Sequence, residues 1–214
     1  MFKTDDKTWK FENGISIIEL KSHLKAKLRD KQILQKTDWL FKAKDEFKYD
    51  NAPNEVVRLG LLLAAHDTIA DEKEKGIIKI GRDGTSNYLC LNKWGAEELL
   101  TIEHIAPQKN DNDWDENIYE NKLFQSIGNL TLLGQSLNSS AGNKSWKEKI
   151  LYYKTVGEKD PTKIQNLKET AKSMGIVLND ETISKLQKSK YSSHIEAISN
   201  MNQNDIWDKD MIEK

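Results

Sequence analysis

The sequence predicts an α+β fold, mainly helical, with a small strand-loop-strand-helix core set between N-terminal and C-terminal helices. Three observations carry this. Apolar residues recur at three- and four-residue intervals over residues 15–48 and again beyond Pro161. Two short apolar runs, Leu99 to Ile105 and Ile127 to Leu133, flank a polar acidic loop, and a helical segment follows from Ser145 or Trp146 to about Lys154. A chain of 214 residues, 37% hydrophobic and with six tryptophans, is long enough to bury a real core.

Taken in order, residues 1–75 form a helical region. Ile15, Ile18, Leu20, Leu24, Leu28, Leu34, Trp39, Leu40, Phe41 and Phe47 mark its first amphipathic stretch. Ala52-Pro53 breaks the pattern, and Asn54 is placed to cap a second helix from Glu55 to about Ala70. That helix is apolar nearly all round and should be the buried spine of this half. Residues 76–155 form the core. Ile77 to Ile80 and Tyr88 to Leu91, separated by an Asp-Gly turn, suggest a β-hairpin preceding it. The strand to Ile105 delivers Glu103 and His104 to its end, where Pro107 stops ladder pairing. Trp114 is expected to be the one anchor of the acidic loop 109–122, and Ser145 is the expected cap of the following helix. Residues 156–214 are a second helical region, with segments at 163–173, 180–189 and 191–199; a last amphipathic turn begins at 204, as though the chain were a piece of a longer parent.

Composition narrows the function. A formal net charge of -1 gives no global basic field, so a nucleic-acid contact would have to be local. Between Ala141 and Lys172 eight lysines face four acids, a surplus of +4. A single cysteine, Cys90, excludes a disulfide framework and a four-cysteine zinc site. With no apolar signal region and no membrane-length apolar stretch, the expected location is the cytoplasm. Asp111, Asp113 and Asp115 alternate as the first ligands of a calcium loop do, but Glu116 and Lys122 stand where such a loop needs glycine and glutamate. There is no P-loop, and the segment Gly134 to Asn138 lacks the closing glycine of a nucleophile elbow.

Chemistry concentrates in residues 101–143. Phosphodiester hydrolysis needs a base for water, a cation for developing charge and a group that orients the base. His104 can be that base. Glu103 offers a hard oxygen suited to Mg²⁺ or Mn²⁺, Asn138 can add a carbonyl oxygen, and Asn129 can fix the tautomer of His104. Lys144 and Lys147 can meet backbone phosphates. Adjacent strand residues face opposite ways, so Glu103 and His104 converge only if a bulge or strand end lies near Pro107.

The run Glu103-His104-Ile105-Ala106-Pro107-Gln108, with Ile127-Gly128-Asn129-Leu130-Thr131-Leu132-Leu133 and Asn138, resembles the HNH (ββα-metal) nucleases. It is most similar to the C-terminal HNH-like domain of GmrSD-type modification-dependent restriction enzymes and of SspE-type phosphorothioation-sensing defence proteins. The resemblance is specific over about 101–153. It implies a ββα-metal core with His104 as general base, Glu103 and Asn138 on a Mg²⁺ or Mn²⁺ ion and Asn129 positioning the base; Asn143 competes with Asn138 for the last position. It further implies a metal-dependent DNA endonuclease or nickase acting on double-stranded DNA in a bacterial anti-phage restriction system, with a nucleotide-dependent sensing domain or partner protein outside this chain. Glu103 stands where aspartate is common in the wider superfamily. The alternative is a catalytically inactive DNA-binding or protein-interaction module on the same scaffold.

Overall fold

The computed structural model describes residues 2–5, 8–11, 16–31, 47–112, 114–156, 158–188, 193–202 and 204–214. The chain divides into two compact units, residues 1–46 and 47–214. The first holds an antiparallel hairpin of β1 (Phe2–Asp5) and β2 (Thr8–Phe11), with Phe2 opposite Phe11, where the sequence pattern suggests no strand. Helix α1 (Ile17–Asp30) follows. Its start is fixed by a reciprocal cap: Ser16 Oγ accepts from the Glu19 N–H at 3.2 Å and Glu19 Oε2 accepts from the Ser16 N–H at 3.0 Å. The expected helical positions Leu34, Trp39, Leu40 and Phe41 lie outside the described residues.

The second unit contains both the expected core segment and the C-terminal helices. Helix α2 (Asn54–Ala65) begins one residue earlier than expected, with Pro53 at the cap position and no side-chain cap from Asn54. It also ends earlier. Asp67 turns the chain with φ 53°, and the Thr68 hydroxyl donates to the Ala65 carbonyl at 2.7 Å, so residues 68–70 leave the helix as a strand. This strand, β3 (Thr68–Ala70), pairs antiparallel with β4 (Ile78–Ile80). The expected hairpin partner of β4 is Tyr88 to Leu91, and that expectation is corrected. Ser86 Oγ, which donates toward the Ala65 carbonyl at 2.8 Å, ties this stretch to the end of α2, and Leu91–Trp94 coils into a one-turn helix, α3.

The central pair is β5 (Thr101–His104) and β6 (Leu130–Leu133), antiparallel, with Glu103 opposite Thr131 and His104 opposite Leu130. Between them lie α4 (Glu116–Glu120), capped by Asp115, and two 3₁₀ turns, the second of which takes residues 127–129 out of the expected strand. Trp114 anchors the acidic loop, but not alone as expected: Ile118 of the same loop is wholly buried in the same core. Trp114 is buried, its ring meets Trp146 edge-on, and its indole N–H donates to the Lys144 carbonyl at 3.3 Å. After β6 come α5 (Gln135–Ala141) and α6 (Trp146–Thr155). Ser145 caps α6 by accepting from the Glu148 N–H, as its sequence position predicts. The α+β, mainly helical class is thus the observed one, with ββα order and one short extra helix before α6.

The remaining helices are α7 (Pro161–Ser173), α8 (Asp180–Lys188), α9 (Ser193–Ser199) and α10 (Lys209–Glu213). They close a large core with Ile105, Leu133, Ile150, Leu151, Leu186 and Trp207. A second, smaller core joins Val57, Leu61 and Leu62 of α2 to Leu130 and Leu132 of β6. The β5–β6 ribbon therefore has two buried faces, one toward each core. No helix among the described residues is long and apolar enough to cross a membrane.

Candidate active site

Alternation along β5 decides where its polar residues go. Ile102 and His104 share the face of Leu130 and Leu132, toward α2 and Tyr49. Thr101 and Glu103 share the opposite face with Leu133, toward α5 and α6. The ladder is regular through the His104–Leu130 pair, so no bulge swings the two side chains together.

His104 is 8% exposed. Its Nε2 lies 3.3 Å from Gln125 Oε1, and the Tyr49 ring stands edge-on to it with centroids 4.5 Å apart. Burial lowers its pKa to about 4, with the Gln125 hydrogen bond opposing that shift and the charge of Lys149 reinforcing it. The ring is therefore neutral near pH 7. The carboxamide beside it is Gln125, not Asn129.

Asn129 is wholly buried and every one of its side-chain hydrogen-bonding positions is engaged elsewhere. Its Oδ1 accepts from the Ala106 N–H at 2.8 Å and from the Trp207 indole N–H at 3.0 Å; its Nδ2 donates to the carbonyls of Ala106 at 2.8 Å and Phe124 at 2.9 Å. Asn129 thus fastens the chain after β5 to the turn before β6 and to the C-terminal segment.

Glu103 is 3% exposed and points at α6. Its Oε1 accepts from Lys149 Nζ at 2.6 Å and from the Tyr153 hydroxyl at 3.3 Å, while Lys149 Nζ also donates to the His104 carbonyl at 2.6 Å. Burial pushes the Glu103 carboxyl up and the Lys149 ammonium down, each opposed by the charge of the other; burial likewise pushes Tyr153 well above its ordinary value. Asn138, on α5, donates through Nδ2 to Thr101 Oγ1 and the Ile102 carbonyl, both at 2.9 Å, and its Oδ1 takes no hydrogen bond among the described residues. Asn143 is exposed in the turn after Gly142, its carbonyl accepting from Asn112. Lys144 pairs with Glu148 and lies 5.3 Å from the Tyr152 ring centroid; Lys147 is exposed.

These donors do not fit a divalent ion as they stand. The carboxylate at the β5 end, Glu103, is already matched by a lysine, and His104 is on the other face. Among the described residues no three His, Cys, Asp or Glu side chains gather as a metal site. Two residues at this centre had no sequence signal pointing to them. Gln125 ends the 3₁₀ turn of residues 123–125, just beyond the acidic loop. Lys149 could have been noticed only as a charge flanked by Ile150, Leu151, Tyr152 and Tyr153.

A search of curated proteins finds no match to the chain. The family model described as GmrSD restriction endonucleases, C-terminal domain, matches residues 5–214, which is nearly the whole chain and extends well past the motif region. The chain therefore belongs to the GmrSD restriction endonuclease C-terminal domain family.

Proposed function

We propose that this domain hydrolyses phosphodiester bonds of double-stranded DNA, one strand at a time, as the effector part of a bacterial anti-phage restriction system. The observation that carries the reading is the state of His104: a neutral imidazole at the end of β5, with one ring nitrogen turned to Gln125. Gln125 Oε1 is an acceptor, so it favours the tautomer with the proton on Nε2 and leaves the lone pair on Nδ1. That nitrogen takes a proton from water as the water attacks phosphorus, the ester bond to the leaving sugar oxygen breaks, and that oxygen departs as the alcohol after taking a proton from solvent. A carboxamide on Nε2 also steadies the imidazolium that forms, which is the orienting role expected of Asn129.

Lys147, exposed at the start of α6, and Lys144 beside it meet the DNA backbone in this reading. Asn138 keeps an unengaged Oδ1 near β5 for a polar contact. Mg²⁺ or Mn²⁺, implied by the resemblance, would supply charge neutralisation at the scissile phosphate. Recognition of modified DNA is assigned to a nucleotide-dependent sensing domain or partner protein outside this chain.

The test is plasmid nicking by the purified chain in Mg²⁺ or Mn²⁺, with EDTA and His104→Ala as controls. His104→Ala should keep its circular dichroism spectrum and lose nicking. Undiminished cleavage by that variant defeats the assignment. The second reading, an inactive DNA-binding or interaction module, is favoured by one observation, the pairing of Glu103 with Lys149. It predicts DNA binding without metal and no cleavage by the wild-type chain with any divalent ion.

A further inference from the structure

Lysine is almost never fully buried unless its charge is matched, and Lys149 is 0% exposed. Two oxygens from adjacent residues of β5 converge on its Nζ: the Glu103 carboxylate and the His104 carbonyl, each at 2.6 Å. A carboxylate and a backbone carbonyl held together are the oxygen donors a hard cation would use. Tyr153, four residues on from Lys149 in α6, donates to the same carboxylate oxygen and steadies its orientation.

We infer that the Lys149 ammonium fills the cation position at the Glu103-His104 corner, so that Glu103 is the counter-ion of an internal charge and not a ligand for an external divalent ion. This deepens, and rests on, the reading of that corner as the catalytic end of β5. An ion bonded to Glu103 Oε1 would lie within roughly 5 Å of Nζ, with no water between them to screen two like charges. The pair also latches α6 to β5. It needs both partners, because removing either leaves the other buried without its match.

The experiment measures Mn²⁺ binding by electron paramagnetic resonance, and thermal melting, on the whole chain and three variants: Glu103→Gln, Lys149→Met and the double variant. Wild type and Glu103→Gln should bind Mn²⁺ with affinities within about twofold of each other. Each single variant should melt below the double variant, which has no orphaned charge. A loss of Mn²⁺ affinity of tenfold or more in Glu103→Gln overturns the inference, as does a double variant whose melting temperature falls by the sum of the two singles. If a single variant fails to fold while the double folds, the latch is supported. Neither readout uses cleavage, so a wild-type chain that cuts no DNA would remove the nuclease reading while the Mn²⁺ comparison still decides the role of Lys149.

Discussion

The indole N–H of Trp207 donates to Asn129 Oδ1 at 3.0 Å, across 78 positions of sequence, and the same oxygen accepts from the Ala106 N–H. One buried carboxamide thereby joins the exit of β5, the entry of β6 and the C-terminal segment. Asn129→Ala would leave the Ala106 and Trp207 N–H groups without their acceptor. At about 1–3 kcal/mol for each buried polar group left unpaired, the loss from these two should be about 2–6 kcal/mol. Thermal melting followed by tryptophan emission checks this. A variant that melts like wild type but no longer cuts DNA would instead return Asn129 to a direct part in the chemistry.

Gln125 is expected to matter for rate more than for folding. Its backbone carbonyl accepts from the Tyr49 N–H at 2.8 Å, a contact that survives truncation of the side chain, whereas the side chain meets the His104 ring. Gln125→Ala should lower nicking about tenfold, the value of one hydrogen bond of about 1.4 kcal/mol lost from His104, the proposed base. The melting temperature should move by no more than a few degrees. Comparison of turnover with melting for the two proteins separates the effects; an unchanged rate would mean that the ring keeps its tautomer unaided.

What the sequence revealed and what it concealed divide by range. Helix α6 was legible because its signals are local: Ser145 at the cap, Glu148 three residues on and an apolar run behind them. The β5–β6 pair was legible from two apolar runs and the stop at Pro107. The extent of α2 was not, because Thr68 and Ser86 end it through contacts that periodicity does not encode. The same holds at the site. Strand alternation warned that Glu103 and His104 diverge, and they do; but the residues that complete their surroundings, Lys149 and Gln125, are 46 and 21 positions away from their partners and carry no motif. The resemblance pointed to this stretch of the chain, while burial and pairing determine what each residue there touches.

Gly128 is required by close approach. A Cβ built on it would lie 2.1 Å from the backbone oxygen of Ile212 in α10, and backbone cannot step aside as a side chain can. Gly128→Ala should therefore displace α10 and cost about 1–3 kcal/mol, the usual range for overpacking. Removing residues 209–214 should abolish that penalty, because the obstructing carbonyl leaves with them. Denaturant unfolding of the four proteins closes the cycle. A penalty that persists in the shortened chain would place the strain in the turn at 127–129 instead.

Acid should weaken the second unit well before its ordinary carboxylates titrate. Two histidines there have pKa values lowered to about 4, His104 and His194, in both cases chiefly by burial. His194 Nε2 faces the Leu132 carbonyl at 2.7 Å and its Nδ1 faces the Tyr88 hydroxyl at 3.0 Å, an arrangement that suits the neutral ring, and the charge of Lys93 also disfavours protonation. Between pH 6.5 and about 4 the unfolded chain takes up protons that the folded rings refuse, so stability is full above 6.5 and falls with pH through that window. For His104, 8% exposed, the loss reaches about 3 kcal/mol by pH 4. Urea unfolding at pH 7, 6 and 5 should give a steadily falling midpoint, and His104→Gln should make that fall shallower. A midpoint that stays level from pH 7 to 5 would mean that neither ring is held neutral by the fold.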